Sequence, residues 1–410
     1  MKKTKLLFTH FVLFLCLLAG LFACKKDDTE NISAGAYLQT SGTVIKTSES
    51  FESTLEDESA VKVTDGKLTL NDCTITKSGN TTSSDNSSFY GQNAAILSSG
   101  SSSTIVISGG TITTNATGAN AIVAYGGIVG VSGVTINCSG QYSRGIHATN
   151  SGKIIATDVT ATTTGDNSSV IATDRGGGSI DVTGGTFKVS GNDAAVIYST
   201  GTIIANEIVG SSANGEAIVI EGANSASVFN SNLTAGSTSR GILILQSGSG
   251  DASGVTGTFS MSGGSIATTS SGAPLIEVVT NSTGNITLNG TSVTAASGIL
   301  MKVDYNTRWS TSGAAGNLAL LGTTTYTGNI VGDSYSSLNL SISSGTTWTG
   351  AFDNANTAKS GKITIDGGTW TLTDDSNLDT IVLTNGATIN KNGHSLTYVT
   401  LTNTSGTINN

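Results

Sequence analysis

The sequence is poor in proline, aromatic residues and charge. Its 410 residues include one proline (Pro274), 5% aromatic residues and 11% charged residues. Basic side chains are also outnumbered, with 19 Lys and Arg against 28 Asp and Glu. Binding to nucleic acid or to another anionic polymer needs clustered Lys and Arg, so this composition disfavours both partners.

Glycine, serine, threonine, asparagine and β-branched residues make up most of the chain, with 53 glycines. β-Branched residues favour strands, and Gly, Asn and Ser favour turns. The hydrophobic fraction of 37% is too high and too regularly placed for a disordered Ser/Gly linker. Helical periodicity is missing beyond the N-terminal segment 1–23, so the composition predicts an all-β fold of short strands.

A phrase of about 25 residues recurs along the chain, with an apolar pair, a turn, an alternating strand and a Thr-Ile-Thr-like end such as Thr111-Ile112-Thr113. The steps between its apolar starts are similar in length, except for a longer one from Ile242 to Ile276. The starts are Ile96, Ile122, Ile146, Ile171, Ile197, Ile218, Ile242, Ile276 and Leu300. A fixed period of this kind predicts a solenoid.

Three short strands per repeat resemble the right-handed parallel β-helix of pectin lyases and of many bacterial adhesins. Motifs of the adhesin-like members are similar to residues 88–95, 173–178, 239–251, 258–264 and 304–309. The resemblance implies a single all-β domain of roughly twelve coils. We predict an N-terminal cap at 34–65, regular coils at 66–300, and irregular coils with a C-terminal cap at 301–410. A sandwich or an up-and-down fold would need antiparallel hairpins at shorter spacing.

The N-terminus carries export signals. Residues 1–23 combine a basic start with an apolar run too short for an ordinary membrane span, as in a signal peptide. Leu21-Phe22-Ala23-Cys24 resembles a bacterial lipobox, which implies lipidation of Cys24; a plain secretory signal is the alternative. Lys25-Lys26-Asp27-Asp28, in a tether at 24–33, resembles the signal for the outer face of the outer membrane. We therefore predict a lipid-anchored protein that faces the cell exterior.

Signal removal changes the charge and the cysteine count. It takes away three lysines and no acid, so the net charge falls from −9 to −12. Cys16 leaves with the signal. Cys73 and Cys138 lie at different repeat positions, so no disulfide is predicted between them.

Acidic residues recur at one turn position of the repeat, where glycine is the usual occupant. In the Thr-Ile-Thr alignment this column contains Asp72, Gly109, Gly133, Asp158, Gly184, Glu207, Gly263 and Gly290. Such a column indicates a turn with a permissive or left-handed backbone. Asp158 and Glu207 are two coils apart, about 10 Å, which does not suit a retaining glycosidase pair. No catalytic residue is predicted.

Arginines and histidines also fit structural roles. Arg144 and Arg240 share a repeat position four coils apart and are not expected to meet, whereas Glu216 is expected to pair with Arg240. Asp174 and Arg175 are expected to form a local salt link in a turn. His147 and His394 are expected at the surface or in turns. No metal or cofactor site is predicted.

Three segments, 79–93, 246–257 and 304–316, leave the regular repeat. Excursions from a repetitive scaffold often carry function, so these segments have two interpretations: loop packing with capping, which is the simpler one, or a glycan-binding patch. Its candidate residues are Gln246, Asp251, Asp304, Arg308 and Trp309. We predict a monomeric, adhesin-like surface module that binds glycans or host and cell surfaces. A polysaccharide lyase or hydrolase, and a passive structural rod, are the alternatives.

Overall fold

A computed structural model describes residues 35–236, 238–306 and 312–410. Within them the chain is a parallel β-helix of about 15 turns, with 56% of residues in strands and 2% in helix. This confirms the predicted all-β parallel solenoid. The predicted signal peptide, Cys24 and the tether lie outside the described residues. No helix among the described residues is long and apolar enough to cross a membrane.

The strands form three sheets of 12, 23 and five strands, and the ladders that join them are parallel. Sheet A contains β1 (Gly35–Gln39), β4 (Ser59–Val63), β7 (Ile96–Ser99), β10 (Ile122–Tyr125), β13 (Ile146–Thr149), β15 (Ile171–Thr173), β17 (Ile197–Ser199), β20 (Ile218–Glu221), β23 (Ile242–Leu245), β26 (Ile276–Val279), β29 (Ile299–Asp304) and β32 (Asn329–Gly332).

Sheet B contains the second strand of the turns and the third strand of the earlier ones. These are β2 (Thr43–Thr47), β3 (Ser50–Ser53), β5 (Gly66–Asn71), β6 (Thr74–Lys77), β8 (Ser103–Ser108), β9 (Thr111–Thr114), β11 (Ile128–Ser132), β12 (Thr135–Cys138), β14 (Gly152–Thr163), β16 (Gly178–Val189), β18 (Thr202–Asn206), β19 (Val209–Ser212), β21 (Ser225–Phe229), β22 (Asn232–Ala235), β24 (Thr256–Ser262), β25 (Ser265–Thr268), β27 (Thr283–Asn289), β28 (Ser292–Ala295), β30 (Ala315–Leu321), β33 (Ser337–Ile342), β35 (Ser360–Asp366), β37 (Ser376–Thr384) and β39 (Leu396–Asn403).

Sheet C takes the third strands of the last turns. It contains β31 (Thr325–Thr327), β34 (Thr347–Thr349), β36 (Thr369–Thr371), β38 (Thr388–Asn390) and β40 (Thr407–Asn409).

The number of turns exceeds the predicted twelve because the last turns contain fewer residues than the regular repeat. These turns also have no strand in sheet A, which ends at β32. Trp348 pairs in register with Trp370 and Trp370 with Ile389, and both steps are shorter than the one from Ile96 to Ile122. The rings of Trp348 and Trp370 stack with their centroids 5.2 Å apart. At the other end, residues 35–65 contribute β1 to β4, which pair in the same ladders as later turns.

Apolar residues stack in columns inside the coil. Ile96, Ile122, Ile146 and Ile171 are paired partners on successive strands of sheet A, and each is fully buried. Burying one such side chain contributes about 1.5–3 kcal/mol, so the repeated column gives each turn its affinity for the next. Cys73 and Cys138 are both buried and free, in agreement with the prediction that they form no disulfide.

The acid-containing turn column adopts the predicted left-handed backbone. Its φ values include 50° at Asp72, 52° at Asp158, 57° at Glu207 and 66° at Gly109. The next position is more restrictive, because a Cβ at Gly110 would lie 2.2 Å from the carbonyl oxygen of Cys73. The backbone therefore accounts for Asp72 and Asp158 without a catalytic role, since aspartate tolerates a left-handed turn better than glutamate does.

The described part of the coil carries one helix, α1 (Ser84–Tyr90). The Ser83 Oγ accepts a hydrogen bond from Asn86 N at its start, and Gly91 ends it with φ 71°. Leu97 and Val123, on the outer side of sheet A, form a small apolar cluster with Ala94. The predicted excursion at 79–93 is therefore a helical wall, and the loop at 246–255 between β23 and β24 is a second departure.

Candidate functional site

Helix α1 and the loop at 246–255 line one cavity on the outer face of sheet A. We call it the walled groove. Its volume is about 240 Å³. Its lining residues come from α1, from the loop and from three successive turns between them: Ser84, Asp85, Ser88, Phe89, Tyr142, Arg144, Asn167, Ser169, Asp174, Asp193, Tyr198 and Asp251. Two of the three predicted excursions therefore meet at one site.

A larger depression of about 540 Å³ lies elsewhere, on the outer face of sheet B. It is crossed by a ladder of amides in which Asn317 donates to Asn285 at 2.8 Å and Asn339 donates to Asn317 at 2.9 Å. The amides there are bonded to one another, and Lys362 is its one charged lining residue. The walled groove has the greater variety of chemical groups, so we take it as the candidate site.

The predicted ligand-binding residues divide between several places. Asp251 lines the walled groove. Gln246 instead shapes the loop, because its Nε2 donates to the carbonyl oxygens of Ser247 and Ala252. Asp304 lies at the end of β29, where it forms an ion pair of 2.7 Å with Lys302. Arg308 and Trp309 lie outside the described residues.

Side chains from distant turns hold α1 in place. Arg144 Nη1 donates to Ser88 Oγ at 2.7 Å, and Thr149 Oγ1 donates to the carbonyl oxygen of Phe89 at 3.0 Å. Each contact joins positions more than two repeats apart along the chain, which explains why repeat alignment did not find them.

His147 is fully buried beneath α1, so its predicted place at the surface or in a turn is wrong. Its Nε2 lies 2.7 Å from the carbonyl oxygen of Ser88, which can only accept, so Nε2 carries the proton. Burial, and then the nearby Arg144 cation, lower the pKa of His147 from 6.5 to about 3. The imidazole is therefore a neutral anchor for the helix.

Arg144 and Asp174 form the central ion pair of the groove. The Arg144 Nη2 to Asp174 Oδ2 distance is 3.0 Å, and the side chains are 11% and 4% exposed. Burial raises the pKa of Asp174 from 3.8 to about 6, although Arg144 opposes this shift. The expected salt link between Asp174 and Arg175 is wrong, since only the backbone N–H of Arg175 donates to Asp174.

Arg175 contacts both walls of the groove. Its guanidinium carbon lies 3.8 Å from the ring centroid of Phe89 on α1, and its Nη2 lies 3.5 Å from Asp251 Oδ1 in the loop. The arginine therefore bridges a cation–π contact and an ion pair. Neither partner is near Arg175 in sequence.

Tyr198 and Glu221 connect the floor to the loop. The Tyr198 hydroxyl donates to Glu221 Oε2 at 2.6 Å. Glu221 Oε1 accepts from the hydroxyls of Ser247 and Ser249. Burial, and then the Glu221 charge, raise the pKa of Tyr198 well above its ordinary value, so the phenol remains a donor.

The predicted Glu216–Arg240 pair is confirmed, with 3.1 Å between Arg240 Nη1 and Glu216 Oε1. Arg240 Nε also bonds to Glu277, which in turn lies 3.4 Å from Lys302 Nζ. As expected, Arg144 and Arg240 do not meet, because four turns separate them.

A second cavity of about 130 Å³ adjoins the groove and shares Ser169, Asp193 and Tyr198 with it. We call it the apolar pocket, because its other lining residues include Ala195, Val219, Leu243 and Leu245. These four side chains form a cluster with Val279 outside the main core. The sequence signal was a loss of alternation, since Ile218-Val219-Ile220 and Ile242-Leu243-Ile244 are apolar throughout.

Outside the groove, Asp374, Asp375 and His394 bring potential metal-binding atoms within 4.8 Å of one another. His394 is thus less isolated than expected. The two carboxylates are exposed, and Asp374 already accepts from Asp375 N and from Asn354. These bonds account for the cluster without an ion.

No protein-family model matches the chain, and a search of curated proteins gives no match either. The candidate site is therefore interpreted from its own geometry.

Proposed function

We propose that the chain is a surface-displayed lipoprotein whose β-helix binds carbohydrate in the walled groove and does not modify it. One observation carries the proposal: α1 and the loop at 246–255, which are far apart in sequence, line the same cavity on an otherwise repetitive face. Binding residues commonly lie on loops that leave a rigid scaffold.

The chemistry of the groove suits a sugar, which presents hydroxyl groups and an apolar ring face. Asp85 and Asp193 provide acceptors, and Asn167 provides an amide that both donates and accepts. Phe89 and Tyr142 add aromatic surface beside these polar groups. A mostly polar lining with some aromatic surface suits a ligand that has many hydroxyl groups and one apolar face.

The groove is also organised before any ligand arrives. Arg144 is paired with Asp174, and Tyr198 is bonded to Glu221, so the floor does not have to order its side chains on binding. Lower ordering cost favours affinity.

We also propose a lipid anchor at Cys24 and a relationship to adhesin-like β-helix proteins. The lipobox-like sequence ending at Cys24 supports attachment to the outer membrane, and the Lys-Asp tether supports outward display. The parallel β-helix supports the likeness to pectin-lyase-like adhesins at the level of architecture. Host or cell-surface glycans are the proposed partners.

Glycan-array binding by the full-length protein tests the proposal. Asp193→Asn should weaken the strongest interactions several-fold, because it removes one exposed carboxylate of the groove. Asp181→Asn is the matched control, since Asp181 is an exposed acid on β16, outside the groove lining. Equal loss in both variants, or no glycan binding by the parent protein, would count against the groove and favour a passive rod.

A polysaccharide lyase or hydrolase is the second candidate, favoured by the buried Asp174. Its pKa of about 6 lies in the range that suits a general acid at neutral pH. Incubation with a panel of polysaccharides, followed by chromatography of released oligosaccharides, separates the two functions. Release that Asp174→Asn abolishes would establish the enzyme and overturn the non-catalytic proposal.

A further inference from the structure

The apolar pocket is unusual because its aliphatic walls face outward from the coil. Val219 follows Tyr198, and Leu243 follows Val219, in the register of sheet A. In the same outer column, Leu97 and Val123 are part of the apolar cluster near α1. Val219 and Leu243 instead line a cavity, at 7% and 5% exposure. The packing of α1 does not explain their apolar character.

The rim of this pocket has an unused donor and an unused acceptor. Ser169 Oγ accepts from the backbone N–H of Ala195 at 3.0 Å, but its own hydroxyl proton has no acceptor among the described residues. Ser169 is only 6% exposed and lines both cavities. The exposed carboxylate of Asp193, which also lines both, accepts no hydrogen bond from the residues described here.

Charges of both signs lie around the same cavity. Glu216 and Glu221 disfavour a ligand carboxylate there. A ligand ammonium group would lose its hydration against the aliphatic side chains of Val219 and Leu243, which disfavours it as well. A neutral group suits the pocket if it has an apolar end for the aliphatic wall, an acceptor for the Ser169 hydroxyl and a donor for the Asp193 carboxylate.

We propose that the apolar pocket accepts the acetamido group of an N-acetylated amino sugar. The methyl group would pack against Val219 and Leu243, the carbonyl would accept from Ser169, and the N–H would donate to Asp193. This inference rests on the proposed carbohydrate binding and names the class of sugar.

Calorimetric titration of the full-length protein with three matched sugar series tests this assignment. The series are oligomers of N-acetylglucosamine, glucosamine and glucose with the same linkage and length, each repeated with the galacto epimers. The N-acetylated oligomers should bind at least about tenfold more tightly than the other two, because a filled apolar pocket discriminates by about that factor.

Two variants locate the effect. Ala195→Leu fills the pocket and should remove the preference for the N-acetylated series, while binding of the glucose series stays within about twofold. Ala319→Leu, on the outer face of β30, is the matched control and should leave all three series unchanged. Val219→Thr keeps the volume of the wall but makes it polar, and it serves if Ala195→Leu does not fold, as judged by circular dichroism.

The outcomes distinguish the two proposals. Groove-dependent binding that is lost in Asp193→Asn, but is equal for the N-acetylated and glucose series, overturns the acetamido assignment and leaves carbohydrate binding intact. Tighter binding of the glucosamine series, or a preference that survives both pocket variants, also overturns the assignment. Absence of binding to every series overturns both proposals.

Discussion

Arg175 stacks on Phe89 with 3.8 Å between its guanidinium carbon and the ring centroid, and so brings a charge from the turn after β15 against the helical wall of the groove. The same guanidinium reaches Asp251 at 3.5 Å. One side chain thus couples α1 with the loop at 246–255, two segments that are separated in the chain by seven strands of sheet A.

Replacing this bridge should loosen the loop at 246–255. The Arg175 side chain is 46% exposed, so Arg175→Ala is expected to cost only about 0.5–2 kcal/mol, mostly from the cation–π contact. Hydrogen–deuterium exchange of the loop should speed up, while exchange of the core strands stays the same. Lys153→Ala, which removes an exposed cation from β14, is the control. Unchanged loop exchange in Arg175→Ala would show that Glu221 and the two loop serines suffice to hold it.

Two buried groups should give opposite pH dependences of stability. Between its unfolded pKa of 3.8 and its folded pKa of about 6, Asp174 keeps a proton only in the folded chain, so its contribution to stability grows as the pH falls. Between 6.5 and about 3, His147 takes a proton only in the unfolded chain, so its contribution falls as the pH falls. From pH 4 to 6 the two largely cancel.

Single substitutions should reveal each slope. Asp174→Asn should make the free energy of unfolding rise with pH between 4 and 6, and His147→Gln should make it fall. Each slope should approach about 1.4 kcal/mol per pH unit relative to the parent protein. Denaturant titrations at several pH values measure both. Parallel curves for the parent and both variants would contradict the assignment of protonation states.

Truncating the inner column should destabilise the coil far more than truncating the outer face. Ile122→Ala removes a fully buried side chain and should cost about 2–5 kcal/mol. Thr113→Ala, at an exposed position of β9, should cost less than about 0.5 kcal/mol. Thermal or denaturant unfolding compares them, and similar costs would argue against the stacked isoleucine column as the main source of cohesion.

Lipid attachment and orientation can be tested on intact cells. The parent protein should partition with membranes and carry acyl chains at Cys24, whereas Cys24→Ala should not. External protease should cleave the parent protein without permeabilisation of the outer membrane. Survival until permeabilisation would place the protein on the inner leaflet and contradict surface display.

The architecture could be predicted from the sequence because every repeat carries the same pattern of apolar and turn residues. Stacked isoleucines, left-handed turn positions and the Glu216–Arg240 pair all follow from aligning equivalent positions. The alignment did not predict contacts between residues at different positions of the repeat. Phe89 with Arg175, and Ser88 with His147, join an excursion to ordinary turns, and no periodic rule gives such pairings. The predicted number of turns was too low because the final turns lack one strand and contain fewer residues than the regular repeat.

The spread of the groove over several turns has a mechanical consequence. Each turn of a solenoid is held chiefly by its immediate neighbours, so a tensile load along a solenoid can peel the turns away one at a time. Arg144 and Arg175 attach α1 and the loop to turns that are not adjacent to them. A ligand that fills the space between these attachments would make several turns unfold together. Molecules with bound ligand should then resist a tensile load better than empty ones.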